Sequence, residues 1–147
     1  MNLTYQCDVY LSYGYNGLPW IKEVLIKQLE TKWNLNICLE DRDFIGGGST
    51  SEQIADAIYA SRHLIFVLTS DFMSKPFAAY EIDRAIEAKT ARTLQNIIII
   101  TLDSSIEDIP TEMQSIWSDI SAIEWPQNAT DTKSSIDMLK TRLLLNF

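Results

Sequence analysis

Short apolar runs and helix-period stripes alternate along nearly all of this 147-residue chain, and that alternation restricts its possible folds more than any other feature. CDVYLS at 7–12 reads as a strand, and NICLE at 36–40 as a second, shorter one. HLIFVLT at 63–69 is apolar almost throughout, which suits a strand covered on both faces of a parallel sheet. QNIIIITL at 95–102 is the fourth and most apolar run, and ISAIEW at 120–125 is a weaker fifth. Between the strands, Trp20, Ile21, Val24, Leu25 and Leu29 line one face of a helix, with Pro19 near its start. Ile54, Ala57, Ile58 and Ser61 mark a second stripe. Pro76 opens a third helix, whose Ala78, Ala79, Ile82, Ala85 and Ile86 make a narrow face of mostly small residues. A short helical piece follows Pro110, and Ile136, Leu139, Leu143 and Leu144 mark the last helix.

Strands alternating with helices predict a parallel sheet with helices on both faces. Right-handed crossovers reduce the choices to a five-stranded, doubly wound, flavodoxin-like α/β sheet of order 2-1-3-4-5. No repeat, linker or low-complexity stretch interrupts it, so residues 1–147 are expected to form one domain. A chain of this length buries about 68–70% of its unfolded surface around a single core. In such a sheet the ligand crevice opens beyond the C-terminal ends of strands one and three. Ser12, Tyr13, Gly14 and Tyr15 follow strand one, and Thr69, Ser70, Asp71 and Phe72 follow strand three. No carboxylate ends either strand to hold Mg²⁺, as a phosphate-accepting receiver requires. SYGYNG is a poor flavin phosphate loop, and a P-loop is excluded because no Gly-Lys pair exists.

Charge and cysteine content remove further classes. The net charge of −8 argues against nucleic acid as a partner, because duplex binding needs cations to neutralise phosphates. The same charge argues against direct contact with an anionic membrane, and the longest aliphatic run, Ile97 to Ile100, is too short to span one. The N-terminus has no basic start and no apolar core, so no signal peptide is expected. Cys7 and Cys38 are the only cysteines; with no clustered histidine they make no zinc site and read as free thiols of a reducing, cytoplasmic compartment. The sequons at Asn2 and Asn128 then carry no meaning. His63, the single histidine, opens an apolar run and is expected to pack there. No metal and no resident cofactor are expected.

The loop LEDRDFIGGGSTSEQI at 39–54 carries three consecutive glycines ahead of a helix start. Such a turn can cradle phosphate, but it lacks a lysine, and Ser49-Thr50-Ser51-Glu52 reads as a capping box that satisfies the helix start internally. Residues 40–48 are therefore expected to be an exposed loop without a bound phosphate. Phe44 and Ile45 have two open readings: they fold back on the core, or they form an apolar tip ringed by Glu40, Asp41, Arg42 and Asp43.

Four segments, in order, resemble the motifs of the TIR domain, the Toll/interleukin receptor module, over Tyr5 to about Leu144, and most of all its Toll-like receptor group. Tyr5-Gln6-Cys7-Asp8-Val9-Tyr10-Leu11-Ser12-Tyr13 is similar to the family's first box, (Y/F)DxFxSY, with one extra residue before the aspartate. Leu39-Glu40-Asp41-Arg42-Asp43-Phe44-Ile45-Gly46-Gly47 resembles the second box, the BB loop, with Gly46 where receptors usually have proline. Ser70-Asp71-Phe72 with Phe77-Ala78-Ala79-Tyr80-Glu81-Ile82 resembles S-x-x-F…W-C-x-x-E-L, and Ile123-Glu124-Trp125-Pro126 resembles (L/I)-E-W-P. The usual Phe-Trp third box is absent, with Ser135-Ile136-Asp137-Met138 about where it would lie.

The resemblance implies two activities. The first is a cytoplasmic signalling scaffold of the innate-immune type, in which TIR domains bind one another through the BB loop (here Arg42, Asp43, Phe44, Ile45, Gly46 and Gly47) and through helical faces. The second is hydrolysis of the nicotinamide–ribose bond of NAD⁺ as substrate, with Glu81 at the position of the family's catalytic glutamate. A carboxylate beside the ribose would stabilise an oxocarbenium-like transition state. The crevice for such a nucleotide would draw on Ser12, Tyr13, Gly14, Tyr15, Phe44 and Phe77. The loop after strand one offers no cation for its phosphates, and Asp71 and Asp83 make the local sequence acidic. Scaffolding is therefore the first expectation and hydrolysis the alternative.

Overall fold

The structure is a computed structural model, described here over residues 6–102, 109–114, 122–126 and 132–144. Five strands form one sheet of order 2-1-3-4-5: β1 (Cys7–Tyr13), β2 (Ile37–Leu39), β3 (Ser61–Leu68), β4 (Asn96–Thr101) and β5 (Ala122–Glu124). Every pairing is parallel, with Tyr10 opposite Cys38 and Leu64, Leu64 opposite Ile97, and Ile100 opposite Ile123. Strand β1 lies between β2 and β3, as the alternation requires. The part of the fifth run at 120–121 lies outside the described residues.

Period-two alternation divides the apolar side chains between two cores. Tyr10, Leu64, Phe66 and Ile99 point to one face, where Ile54 and Ile58 of α3 (Thr50–Tyr59) and Ile82 of α4 (Ala78–Thr90) cover them. Val9, Leu11, Ile65, Ile98 and Ile100 point to the other, beneath Ile21, Leu25 and Leu29 of α1 and Leu139 and Leu143 of α5 (Thr132–Leu144). Helix α1 opens over Leu18–Trp20 and continues with i→i+5 hydrogen bonding over Ile21–Leu25 and Lys27–Lys32. Its Val24, placed on the buried stripe by periodicity, is 38% exposed, because wider winding rotates the stripe away from a 3.6-residue period.

Three local expectations need correction. Ser61 belongs to β3 rather than to the second helix; its Oγ donates to the Ala57 carbonyl at 2.6 Å and helps end α3. Pro76 precedes the third helix, which begins at Ala78. Residues 40–43 are not loop but a helical turn, α2 (Glu40–Asp43). Asp43 Oδ2 accepts the Leu39 N–H at 2.8 Å, and the Phe44 N–H donates to the Glu40 carbonyl at 3.3 Å, which winds the chain directly out of β2.

His63 is buried in β3, its Nδ1 3.2 Å from Asn96 Nδ2, and desolvation pushes it down to about 4. Cys38 is buried and Cys7 half-buried, both as free thiols. Each thiol influences the other's ionisation, holding Cys7 below and, with burial, Cys38 above the ordinary thiol value.

Candidate functional site

The site is built from the ends of β1 and β3, the turn α2 and the N-terminus of α4. Ala78, Glu81, Ile82 and Ala85 fall at i, i+3, i+4 and i+7, so the Glu81 carboxylate is carried on the stripe that α4 buries. It is 2% exposed. Both of its oxygens are occupied: Lys75 Nζ donates to Oε1 at 2.7 Å, and Tyr10 Oη donates to Oε2 at 2.8 Å. Burial, and then the Glu81 charge, push the Tyr10 phenol well above its usual value, so it remains a donor.

Lys75 is itself buried, with Nζ 5.1 Å from the centre of the Tyr13 ring and 5.3 Å from that of Phe72. An ammonium over two aromatic faces and against a carboxylate is compensated on several sides. The loop after β1 offers no cation, but Lys75, from the segment before α4, brings one against the Glu81 carboxylate. Asp83 is exposed on the far side of α4, and Asp71 is used internally, accepting the Asn16 N–H at 3.1 Å and the Thr69 hydroxyl.

Above this buried group lies a cleft of about 380 Å³, bordered by Tyr15, Glu40, Phe44, the loop 45–48, Lys75 and Phe77. Of the residues expected to line a crevice, Tyr15, Phe44 and Phe77 do so. Ser12, Tyr13 and Gly14 do not, because the end of β1 is roofed over. Tyr13 Oη accepts the Asp41 N–H at 3.2 Å, and Gly14 lies so close to Thr69, Asp71 and Phe72 that a Cβ would collide. Glu40 borders the cleft half-buried, and desolvation raises its pKa against the opposing pull of Lys75.

The loop divides the residues grouped as its binding surface. Arg42 donates to Asp43, to Glu30 at 2.6 Å and to the Ile37 carbonyl at 2.9 Å, so its fork holds α2 against the end of α1 and β2. Asp43 is spent on Arg42 and on Leu39. Phe44 packs against the core beside α3 and α4. Ile45 alone projects, at 75% exposed, with Gly46 and Gly47 beyond it and Gly47 at φ +86°. The two readings of the tip are both realised, one residue each. Ser49 caps α3 by accepting the Glu52 N–H at 3.4 Å.

Sequence reasoning missed Lys75, and it placed Glu81 beside Ile82 at the edge of the buried face rather than fully within it. The heptad-like spacing of Glu81 was the available signal for the second. Lys75, in Ser-Lys-Pro, has the look of an ordinary surface turn.

A five-stranded, all-parallel sheet of order 2-1-3-4-5 with helices on both faces is a doubly wound, flavodoxin-like α/β fold. The TIR domain family model matches residues 7–142, and the chain belongs to the TIR domain family. Toll-like receptor 6 of Bos taurus is 31% identical over 128 residues, covering 84% of this chain and 16% of that receptor. The Homo sapiens Toll-like receptor 6 is 29% identical, covering 83% of this chain and 16% of the receptor. The chain thus spans about a sixth of the curated relatives it matches. Among solved structures, the TIR domain of a Toll-related receptor from Hydra magnipapillata superposes with a TM-score of 0.70 at 18% identity, covering 96% of this chain and all of that one. A TIR-STING receptor from C. gigas gives 0.69 at 17%, covering 94% of this chain and 40% of that one. Both show a common fold. No helix among the described residues is long and apolar enough to cross a membrane.

Proposed function

We propose that this chain is a signalling-assembly module, a single TIR domain that acts in the cytoplasm by binding other TIR domains through its BB loop and helical faces. The observation that carries this reading is Ile45: a large apolar side chain, 75% exposed, held out by a loop whose neighbouring charges, Arg42 and Asp43, are paired with each other. Weak contacts of this size become effective when many copies assemble, because each added contact is then close to intramolecular. Changing Ile45 to Asp should leave the fold intact and abolish self-association, or capture of a second TIR domain, in sedimentation velocity. Phe44 is unsuitable for the same test because it packs on the core. Unchanged association of Ile45→Asp would refute the reading.

The alternative is an NAD⁺ glycohydrolase acting through Glu81. It is supported by the cleft of about 380 Å³ that Lys75 shares with the Glu81 site. It is opposed by the burial of Glu81, which is 2% exposed, holds a donor on each oxygen and is not among the residues bordering the cleft. Concentrated domain incubated with NAD⁺ should release no nicotinamide above the no-protein control. Release that disappears in Glu81→Gln would replace the assembly reading with the hydrolase.

A further inference from the structure

The glycine loop has no side chain or ring to restrict it, yet its tip is anchored. Gln53, on the first turns of α3, reaches back across the loop and pairs with the backbone of Ile45 at both polar atoms. Gln53 Oε1 accepts the Ile45 N–H at 2.7 Å, and Gln53 Nε2 donates to the Ile45 carbonyl at 3.0 Å. A side-chain amide used in this way reproduces the pairing that a neighbouring strand would give. The Ile45 carbonyl also accepts the Gly48 N–H at 3.4 Å, closing the tip as a turn.

Gly48 gives the pairing room. A Cβ at that position would stand 3.0 Å from Gln53 Nε2 and 3.6 Å from its Cδ, where the amide now passes. Gly46 and Gly47 have open space around them, so nothing steric holds the far side of the loop. The restraint on the tip comes from Gln53.

We infer that Gln53 is the positioning residue of the loop tip, pre-setting the Ile45 backbone so that its side chain is presented to a second TIR domain. This rests on the assembly reading above. A surface that is ordered before contact loses less conformational freedom on association, so the clamp acts on affinity without touching the partner. Gln53→Glu keeps the acceptor for the Ile45 N–H but places an oxygen against the Ile45 carbonyl. Gly48→Ala leaves Gln53 in place and obstructs its path.

The test measures three quantities on the whole domain: amide exchange at Ile45, the dissociation constant for a second copy by sedimentation velocity, and Tm. Gln53→Ala should speed Ile45 exchange and weaken association by roughly three- to tenfold, the size expected for losing pre-organisation through two exposed hydrogen bonds. Tm should be nearly unchanged. Gly48→Ala should move in the same direction, and Gln53→Glu should fall between wild type and Gln53→Ala. Faster exchange with unchanged affinity would overturn the positioning role, as would unchanged exchange. Normal association of Ile45→Asp would instead overturn the assembly reading and the role with it, an outcome separable because Ile45→Asp leaves the clamp intact.

Discussion

Lys75 Nζ and Glu81 Oε1 meet at 2.7 Å with side chains 4% and 2% exposed, a charge pair sealed within the protein between the end of β1 and the start of α4. Removing one member of such a pair strands the other in a medium of low polarity, whereas removing both is far less costly. Lys75→Met should therefore destabilise the domain by about 3–5 kcal/mol. Lys75→Met combined with Glu81→Leu should recover part of that loss, the remainder being the Tyr10 hydroxyl left without its acceptor. Urea unfolding of the two variants checks it, and equal destabilisation of single and double variants would count against an uncompensated charge as the cause.

Gly14 follows β1 beneath the roof over that strand's end. A Cβ there would run into Thr69 Oγ1 and lie 2.6 Å from Asp71 Oδ1 and 3.2 Å from the Phe72 backbone. Because backbone is among the obstacles, Gly14→Ala should cost about 1–3 kcal/mol, the usual range for overpacking. It should also release the Asn16 N–H from Asp71, visible as faster exchange at Asn16.

His63 links stability to acid. Its folded value is depressed from 6.5 to about 4 by burial, so the fold prefers the neutral ring. The contribution is complete above 6.5 and is lost as pH falls from there towards 4, because the unfolded chain takes up the proton first. His63→Gln should flatten the decline of stability across that window, measured as ΔG of unfolding against pH. A slope identical to wild type would assign the acid sensitivity to carboxylates instead.

The sheet was readable from sequence because both of its faces are covered, which makes β3 and β4 apolar almost throughout and leaves little ambiguity of type. Ser49 was readable for a local reason, since capping depends on residues three apart. What depended on long-range geometry was not. Tyr10 and Glu81 are 71 residues apart, and their hydrogen bond exists only because α4 crosses the face of the sheet onto which β1 directs Tyr10. Phe44 and Ile45 are adjacent and both apolar, so composition cannot tell them apart; the helical turn α2 sends one inward and the other out. The family motifs located Glu81 but carried no information about Lys75, whose burial follows from the turn at Phe72–Ser74 folding under Tyr13.

Strand β2, at one edge of the sheet, is three residues long. A module that works by gathering many copies is always at risk of aggregation, because crowding also brings unpaired strand edges together. An edge this short gives an incoming strand few backbone groups to pair with. Copies can then be concentrated while contact is left to side chains and loops, which can let go. In the assembly proposed above, the brevity of β2 would favour contacts that can let go over amyloid.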